Sequence, residues 1–182
     1  MKVTRTEFNG LVLLEPRVSG DNRGYFMESF NKKVLAQAGF DFNFVQDNQS
    51  RSGKGVARGL HFQHPPYAQT KLVRVLSGSI LDVVVDLRKN EPTFKKQFSV
   101  ELSAENKKQI LVPKGFAHGF IVLGDSAEIL YKCDEYYAPE AEGGILFTDP
   151  ALGISWPAGI SEFILSEKDK KHPHLHEAKF EF

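Results

Sequence analysis

Apolar and polar residues alternate over short stretches along most of this chain, the period of strands that are half-buried in a sheet. Two such stretches, 71–76 and 80–86, flank Ser77-Gly78-Ser79, and the pattern predicts a hairpin around a glycine turn. Three more strands are predicted at 109–112, 115–122 and 127–131, punctuated by Pro113-Lys114-Gly115 and Gly124-Asp125-Ser126. Upstream, 11–14, 24–30 and 42–47 carry the same signal. One segment has helical character, 31–39, with Asn31 suited to the N-cap and Gly39 to the C′ stop. Many short strands separated by turns predict an all-β sandwich or barrel with a few short helices. No repeat, linker or low-complexity stretch divides residues 1–182, so the chain reads as one domain. The end, 167–182, is charged and aromatic and carries no clear element.

Composition narrows the function classes. The chain holds 23 Lys+Arg against 23 Asp+Glu. A net charge of zero argues against general binding to nucleic acid or an anionic membrane, both of which want a basic excess. It leaves room for a local cationic pocket. The single cysteine, Cys133, rules out an internal disulfide and points to a reducing compartment. Residues 1–7 have no apolar signal core, and no apolar run approaches the roughly 18 residues of a membrane span. The expectation is a cytoplasmic protein.

The spacing of a few residues then points to a pocket. Gly59, Pro65, Tyr67, Lys71 and Gly78 fall at the intervals of the first metal-binding motif of a cupin barrel. That motif puts His, His and Glu where this chain has Pro65, Tyr67 and Lys71. Pro113, Gly115 and His118 match the second motif, with its histidine kept. One ligand of four does not hold a catalytic metal, which needs about three protein donors. The barrel spacing without its ligands predicts a pocket that works without metal, and argues against a metal-dependent oxygenase.

The residues left there suit proton transfer beside a carbonyl. His61 can act as a general base because histidine titrates near neutrality; the plainer role is a bond to a backbone carbonyl. His64, in a turn-like His64-Pro65-Pro66, reads as structural, and the prolines forbid the helix on which an H-x-x-H pair would share a face. Lys71 shares a strand face with Val73 and Val75, where a cation is costly unless an anionic partner meets it; a strand-end lysine can also snorkel to water. Tyr131 is either core or a proton donor whose pKa a nearby cation would lower. Arg23 and Arg58 can grip a diphosphate by forked hydrogen bonds. Gln46, Asp47 and Asn48 offer amides and a carboxylate to a polar ligand, or form an ordinary turn. Ser166 to Asp169 reads as a helix cap or loop. His172, His174 and His176 alternate in the tail, and the reading preferred for them is a solvated tail rather than a metal site.

Several longer segments carry a family resemblance. Arg23-Gly24-Tyr25-Phe26-Met27-Glu28, Gln46-Asp47-Asn48-Gln49-Ser50, Arg58-Gly59-Leu60-His61-Phe62-Gln63, Pro113-Lys114-Gly115-Phe116-Ala117-His118-Gly119-Phe120 and Tyr131-Lys132-Cys133 occur in order, followed by Ser166-Glu167-Lys168-Asp169. Together they resemble the dTDP-4-dehydrorhamnose 3,5-epimerase family. One departure, Gln49-Ser50 where the family often has His-Ser, touches no catalytic position. The resemblance implies a cupin-type jelly-roll β barrel, a homodimer, no metal or other cofactor, and a dTDP-4-keto-6-deoxy sugar as substrate. It implies that His61 accepts the proton, Asp169 is its carboxylate partner and Tyr131 donates the proton. It puts Arg23, Glu28, Gln46, Asn48, Arg58, Lys71, His118, Glu142 and Lys168 at substrate-contacting positions, with Arg23 and Glu28 reaching the other subunit's site. Physically, Lys71 suits the oxyanion that develops as a ketone becomes an enolate. Some relatives invert one carbon or move the ketone, and the residues do not count inversions. Joint retention of His61, Lys71, Tyr131 and Asp169 argues against a non-catalytic sugar-binding cupin.

Overall fold

The computed structural model describes residues 1–156, 160 and 162–182. Its strands are β1 (Lys2–Arg5), β2 (Val12–Glu15), β3 (Val18–Asp21), β4 (Gly24–Met27), β5 (Gln46–Gly53), β6 (Ala57–Gln63), β7 (Lys71–Ser77), β8 (Ser79–Asp86), β9 (Gln97–Ser103), β10 (Gln109–Val112), β11 (Phe116–Val122), β12 (Ser126–Cys133) and β13 (Glu142–Gly144). They form two antiparallel sheets in the orders β1-β2-β10-β7-β12-β5 and β13-β6-β11-β8-β9, beside a separate β3–β4 ribbon. The two sheets face one another as a cupin-type jelly roll.

Alternation along the strands explains the layers. Val73, Val75, Ile110, Val112 and Ile129 of the first sheet meet Ile80, Val84, Phe116, Phe120 and Val122 of the second in the central core. Their neighbours point outward and are covered too. Leu72 and Leu111 pack under the helix α1 (Lys32–Gln37) through Leu35 and Phe40. Val83, Val85, Ala117 and Ile121 pack against Ile145, Phe147, Leu175 and Phe180 from the C-terminal third. A strand covered on both faces reads as a continuous apolar run, which is why Val83-Val84-Val85 lacks alternation.

The expected hairpin at 71–86 does not form. β7 pairs with β10 and β12, whereas β8 pairs with β9 and β11. Gly78 is a corner at which the chain changes sheets. Its φ is +74°, and a Cβ there would lie 1.9 Å from the Ser126 carbonyl oxygen. A glycine turn between two strands specifies a reversal, but not which partner each strand takes.

Other boundaries moved for similar reasons. Residues 42–45 are irregular, with Phe42 and Phe44 packed on the third cluster, and the strand starts at Gln46. The segment 24–30 is shorter than expected and forms β4, paired to β3. β1, β3, β6, β9 and β13 are not among the predicted strands, and His61 lies within β6. The helix was read well: Asn31 Oδ1 accepts from the Val34 N–H at 3.2 Å, and Gly39 has φ +92°. The solvated tail expected at 167–182 holds for His174 and His176, which stay open to water, but not for the whole segment. Leu175 and Phe180 are buried, and the Leu175 N–H donates to Asp149 Oδ2 at 2.7 Å.

Phe147 is fully buried, with Trp156 stacked on it at 5.1 Å between centroids and Phe163 edge-on at 6.0 Å. Phe147→Ala should therefore lower unfolding stability by about 3–5 kcal/mol, read from urea denaturation. A loss below about 1 kcal/mol would mean that this C-terminal packing is outside the cooperative core.

Candidate active site

A cavity of about 650 Å³ opens between the sheets. β5, β6, β7, β11 and β12 supply most of its wall, and the segment 164–169 closes one side. That segment is tied to the barrel by backbone bonds: the Ile164 N–H donates to the Gly55 carbonyl at 2.9 Å and the Ala57 N–H to the Ile164 carbonyl at 3.1 Å. Among the positions at cupin-ligand spacing, Lys71 and His118 line the cavity, while Pro65 and Tyr67 do not.

His61 Nε2 lies 2.7 Å from Asp169 Oδ1. Asp169 is buried, at the start of a short 3₁₀ turn, Asp169–Lys171, and its own N–H donates to Ser166 Oγ at 3.1 Å. Burial alone would raise its pKa; the hydrogen bond and charge of His61, with the Gly59 N–H, outweigh burial and hold it below the ordinary carboxylate range. An ionised Asp169 fixes the proton on His61 Nε2, leaving Nδ1 with a free lone pair. His61 Nδ1 has no hydrogen bond to a described residue.

Lys71 begins β7 and lines the cavity, half-buried. Burial pushes its pKa down, and the nearby Cys133, Glu142 and Asp82 oppose the shift. It has no hydrogen bond or ion pair among the described residues. Its Nζ lies 6.0 Å from the Tyr131 ring centroid. The expected lowering of the Tyr131 pKa is overturned: burial raises it, Cys133 adds to the rise, and Arg58 only partly opposes it. Desolvating a phenolate costs more here than the neighbouring cation returns.

The remaining cavity groups hold one another in place. Arg58 Nε donates to Ser52 Oγ at 3.0 Å. Gln46 Nε2 donates to Asn48 Oδ1 at 3.0 Å. Glu142 accepts from Tyr137 Oη at 2.7 Å and from Lys168 Nζ. Burial alone would raise the Glu142 pKa, but these two bonds outweigh it and hold it low. His118 Nε2 lies 2.9 Å from Asp82 Oδ2, and His118 sits opposite His61 in the β11–β6 register. The cavity wall thus carries two histidines, each paired with an aspartate, and the second aspartate, Asp82, is buried behind His118.

Ten of the thirteen sequence-nominated residues line this cavity: His61, Lys71, Tyr131, Asp169, Gln46, Asn48, Arg58, His118, Glu142 and Lys168. Three do not. Asp47 points to the other strand face, where it pairs with Lys132 at 3.0 Å, because adjacent strand residues face opposite ways. Arg23 stands exposed on the β3–β4 ribbon, paired with Asp21. Glu28 is exposed just beyond β4. Sequence reading missed Asp82, behind His118, and Tyr137. A carboxylate inside the apolar run of β8 was a usable signal for Asp82; Tyr137 carried none, since a loop brings it in.

The comparisons with known proteins agree with this geometry. The sequence model of the dTDP-4-dehydrorhamnose 3,5-epimerase family matches residues 5–177. The chain is 53% identical over 170 residues to the dTDP-4-dehydrorhamnose 3,5-epimerase of Shigella flexneri, covering 93% of each. It superposes with a TM-score of 0.92 on the Bacillus anthracis enzyme of that name with TDP and PPi bound, at 52% identity, covering 96% of this chain and 99% of the other. A Legionella pneumophila dTDP-6-deoxy-D-glucose-3,5-epimerase in complex with dTDP-4-keto-L-rhamnose also gives 0.92, at 47% identity over 97% of this chain and 93% of the other. The chain belongs to the dTDP-4-dehydrorhamnose 3,5-epimerase family.

Proposed function

We propose that this chain inverts C3 and C5 of dTDP-4-dehydro-6-deoxy-D-glucose to give dTDP-4-dehydro-L-rhamnose. The observation that carries the reading is the convergence, in one cavity, of a carboxylate-oriented imidazole, a half-buried lysine and a half-buried phenol. The ketone at C4 acidifies the hydrogens on C3 and C5. His61 Nδ1 takes one of them, and Asp169 supports the imidazolium that forms. Lys71 neutralises the enolate oxygen, an electrostatic contribution of about 3–4 kcal/mol in comparable oxyanion sites. Inversion needs a proton from the opposite face, and Tyr131 supplies it. A raised phenol pKa keeps that proton on the oxygen until the carbanion is there to take it. Arg58, Gln46, Asn48, His118, Glu142 and Lys168 bind the rest of the substrate, whose nucleotide adds binding energy remote from the reacting carbons.

No step in this scheme needs a metal. The test is turnover in D2O with the product followed by NMR, after exhaustive chelation. Deuterium at both C3 and C5 with full activity is the expected result. Label at one carbon makes the enzyme a single-carbon epimerase, and loss of turnover on chelation restored by metal overturns the metal-free scheme.

The working unit is a homodimer, and the chain acts in the cytoplasm as one domain. Support for the dimer comes from the β3–β4 ribbon, which leaves Phe26 76% and Tyr25 61% exposed beside Arg23. A ribbon this apolar wants a partner, and pairing would carry Arg23 and Glu28 towards a second cavity. Light scattering should return a dimer mass, and Phe26→Asp should shift it to monomer with a loss of turnover. A wild-type monomer with full activity would exclude this arrangement.

A further inference from the structure

Next to the proposed base stands a second histidine to which the reaction gives no task. The rings of His61 and His172 are 5.4 Å apart, edge to face. His172 Nε2 lies 3.6 Å from Asp169 Oδ1, is closed to solvent, and has no hydrogen-bond partner among the described residues. Its side chain is 11% exposed. This position is built in. A Cβ on Gly144 would come within 2.3–2.5 Å of His172 ring atoms, so glycine there is what lets the ring lie against β13. The following residue is fixed by the Leu146 N–H donating to the Pro173 carbonyl at 2.8 Å. A buried ring nitrogen left unpaired costs free energy, and it points at the carboxylate shared with His61.

We propose that His61, Asp169 and His172 form a binding site for a divalent cation of the zinc class, and that occupancy switches the epimerase off. One donor atom from each residue falls within 4.8 Å of the others. Tetrahedral zinc bound at about 2.0–2.2 Å wants its donors about 3.3–3.5 Å apart, so small side-chain rotations close the site. Two imidazoles and a carboxylate suit zinc or cobalt better than magnesium or calcium. The fourth position is left for water. The inhibition follows from the tautomer. In the metal-free pair His61 carries its proton on Nε2 and has its lone pair on Nδ1. A cation on Nε2 displaces that proton, and the neutral ring carries one on Nδ1 instead. The lone pair that would abstract from the sugar is gone, with no net change in protons on the ring. This second half rests on the reading of His61 as the base; the binding half does not.

Cobalt titration of the full chain, followed by visible absorption, tests the site without turnover. One equivalent with a tetrahedral spectrum, displaced by zinc, is expected. His172→Asn should turn over normally without metal and lose the spectrum. It should also raise the buffered free zinc needed for half-inhibition by about 10- to 100-fold, a range already produced by losing an outer-sphere partner. His61→Asn, which removes a different donor, should also lose the spectrum, so the result does not hang on one variant folding. A His174→Ala/His176→Ala double variant should stay fully zinc-sensitive. No cobalt spectrum in wild type, or unchanged zinc sensitivity in a folded His172→Asn, overturns the site. Cobalt bound at these residues with turnover unaffected keeps the site and overturns His61 as the base.

Discussion

His61→Ala should reduce hydrogen exchange at both C3 and C5 by about 10² to 10⁴ in rate, the usual cost of removing a general base, while dTDP binding stays within a few-fold. The expectation rests on the pairing with Asp169. Asp169 is 4% exposed and is held low in pKa despite its burial, so it remains an anion where the imidazolium must form. One base serves both carbons in this scheme, so the two exchange rates should fall together. The cavity offers a rival: His118 carries its own buried carboxylate, Asp82, and lies opposite His61 on the neighbouring strand. Near-normal deuterium uptake at either carbon in His61→Ala would move the base to that second pair, and His118→Ala would then show the larger loss. Solvent deuterium uptake, measured separately at each carbon, decides it.

What the sequence could and could not give follows from the range over which each feature is determined. The helix at α1 was legible because its signals are local: a capping side chain and a glycine stop sit within one turn of its ends. The strand at 127–131 was legible because its burial begins by alternating, and 109–112 because a short apolar run, Ile110-Leu111-Val112, is stopped by Pro113. The 71–86 hairpin failed because Gly78 fixes a turn, while the choice between pairing and crossing to the other sheet depends on β10, β11 and β12, far along the chain. Cavity residues on strands came through well, since motif spacing on a regular strand translates into a fixed face. Asp47 is the instructive miss: it lies between two cavity residues, Gln46 and Asn48, and strand geometry turns it away. Arg23 and Glu28 lie on a ribbon that one chain does not bring to its own cavity. His172 was read as solvated because sequence shows nothing of the Gly144 floor it rests on or the bonds that draw the tail onto the barrel.

Tyr131→Phe should separate the two halves of the reaction. Phenylalanine keeps the ring in the β12 wall and removes only the hydroxyl, so the loss of packing is small and the cavity stays shaped. His61, Asp169 and Lys71 remain, and the enolate still forms. Solvent deuterium can then enter from the His61 face with configuration retained. Net inversion needs the proton that Tyr131 carries, and burial keeps that proton on the oxygen by raising the pKa. Inverted product should therefore fall by about 10² or more, the scale of a lost general acid, with exchange reduced far less. The stereochemistry of the labelled product, read by NMR beside total deuterium uptake, measures both quantities in one sample. Equal losses of the two would make Tyr131 a group that shapes or binds, through its place beside Lys71 at 6.0 Å. Unchanged inversion would shift the donor to another hydroxyl on the wall, and Tyr137, whose Oη already donates to Glu142 at 2.7 Å, is the next group to remove.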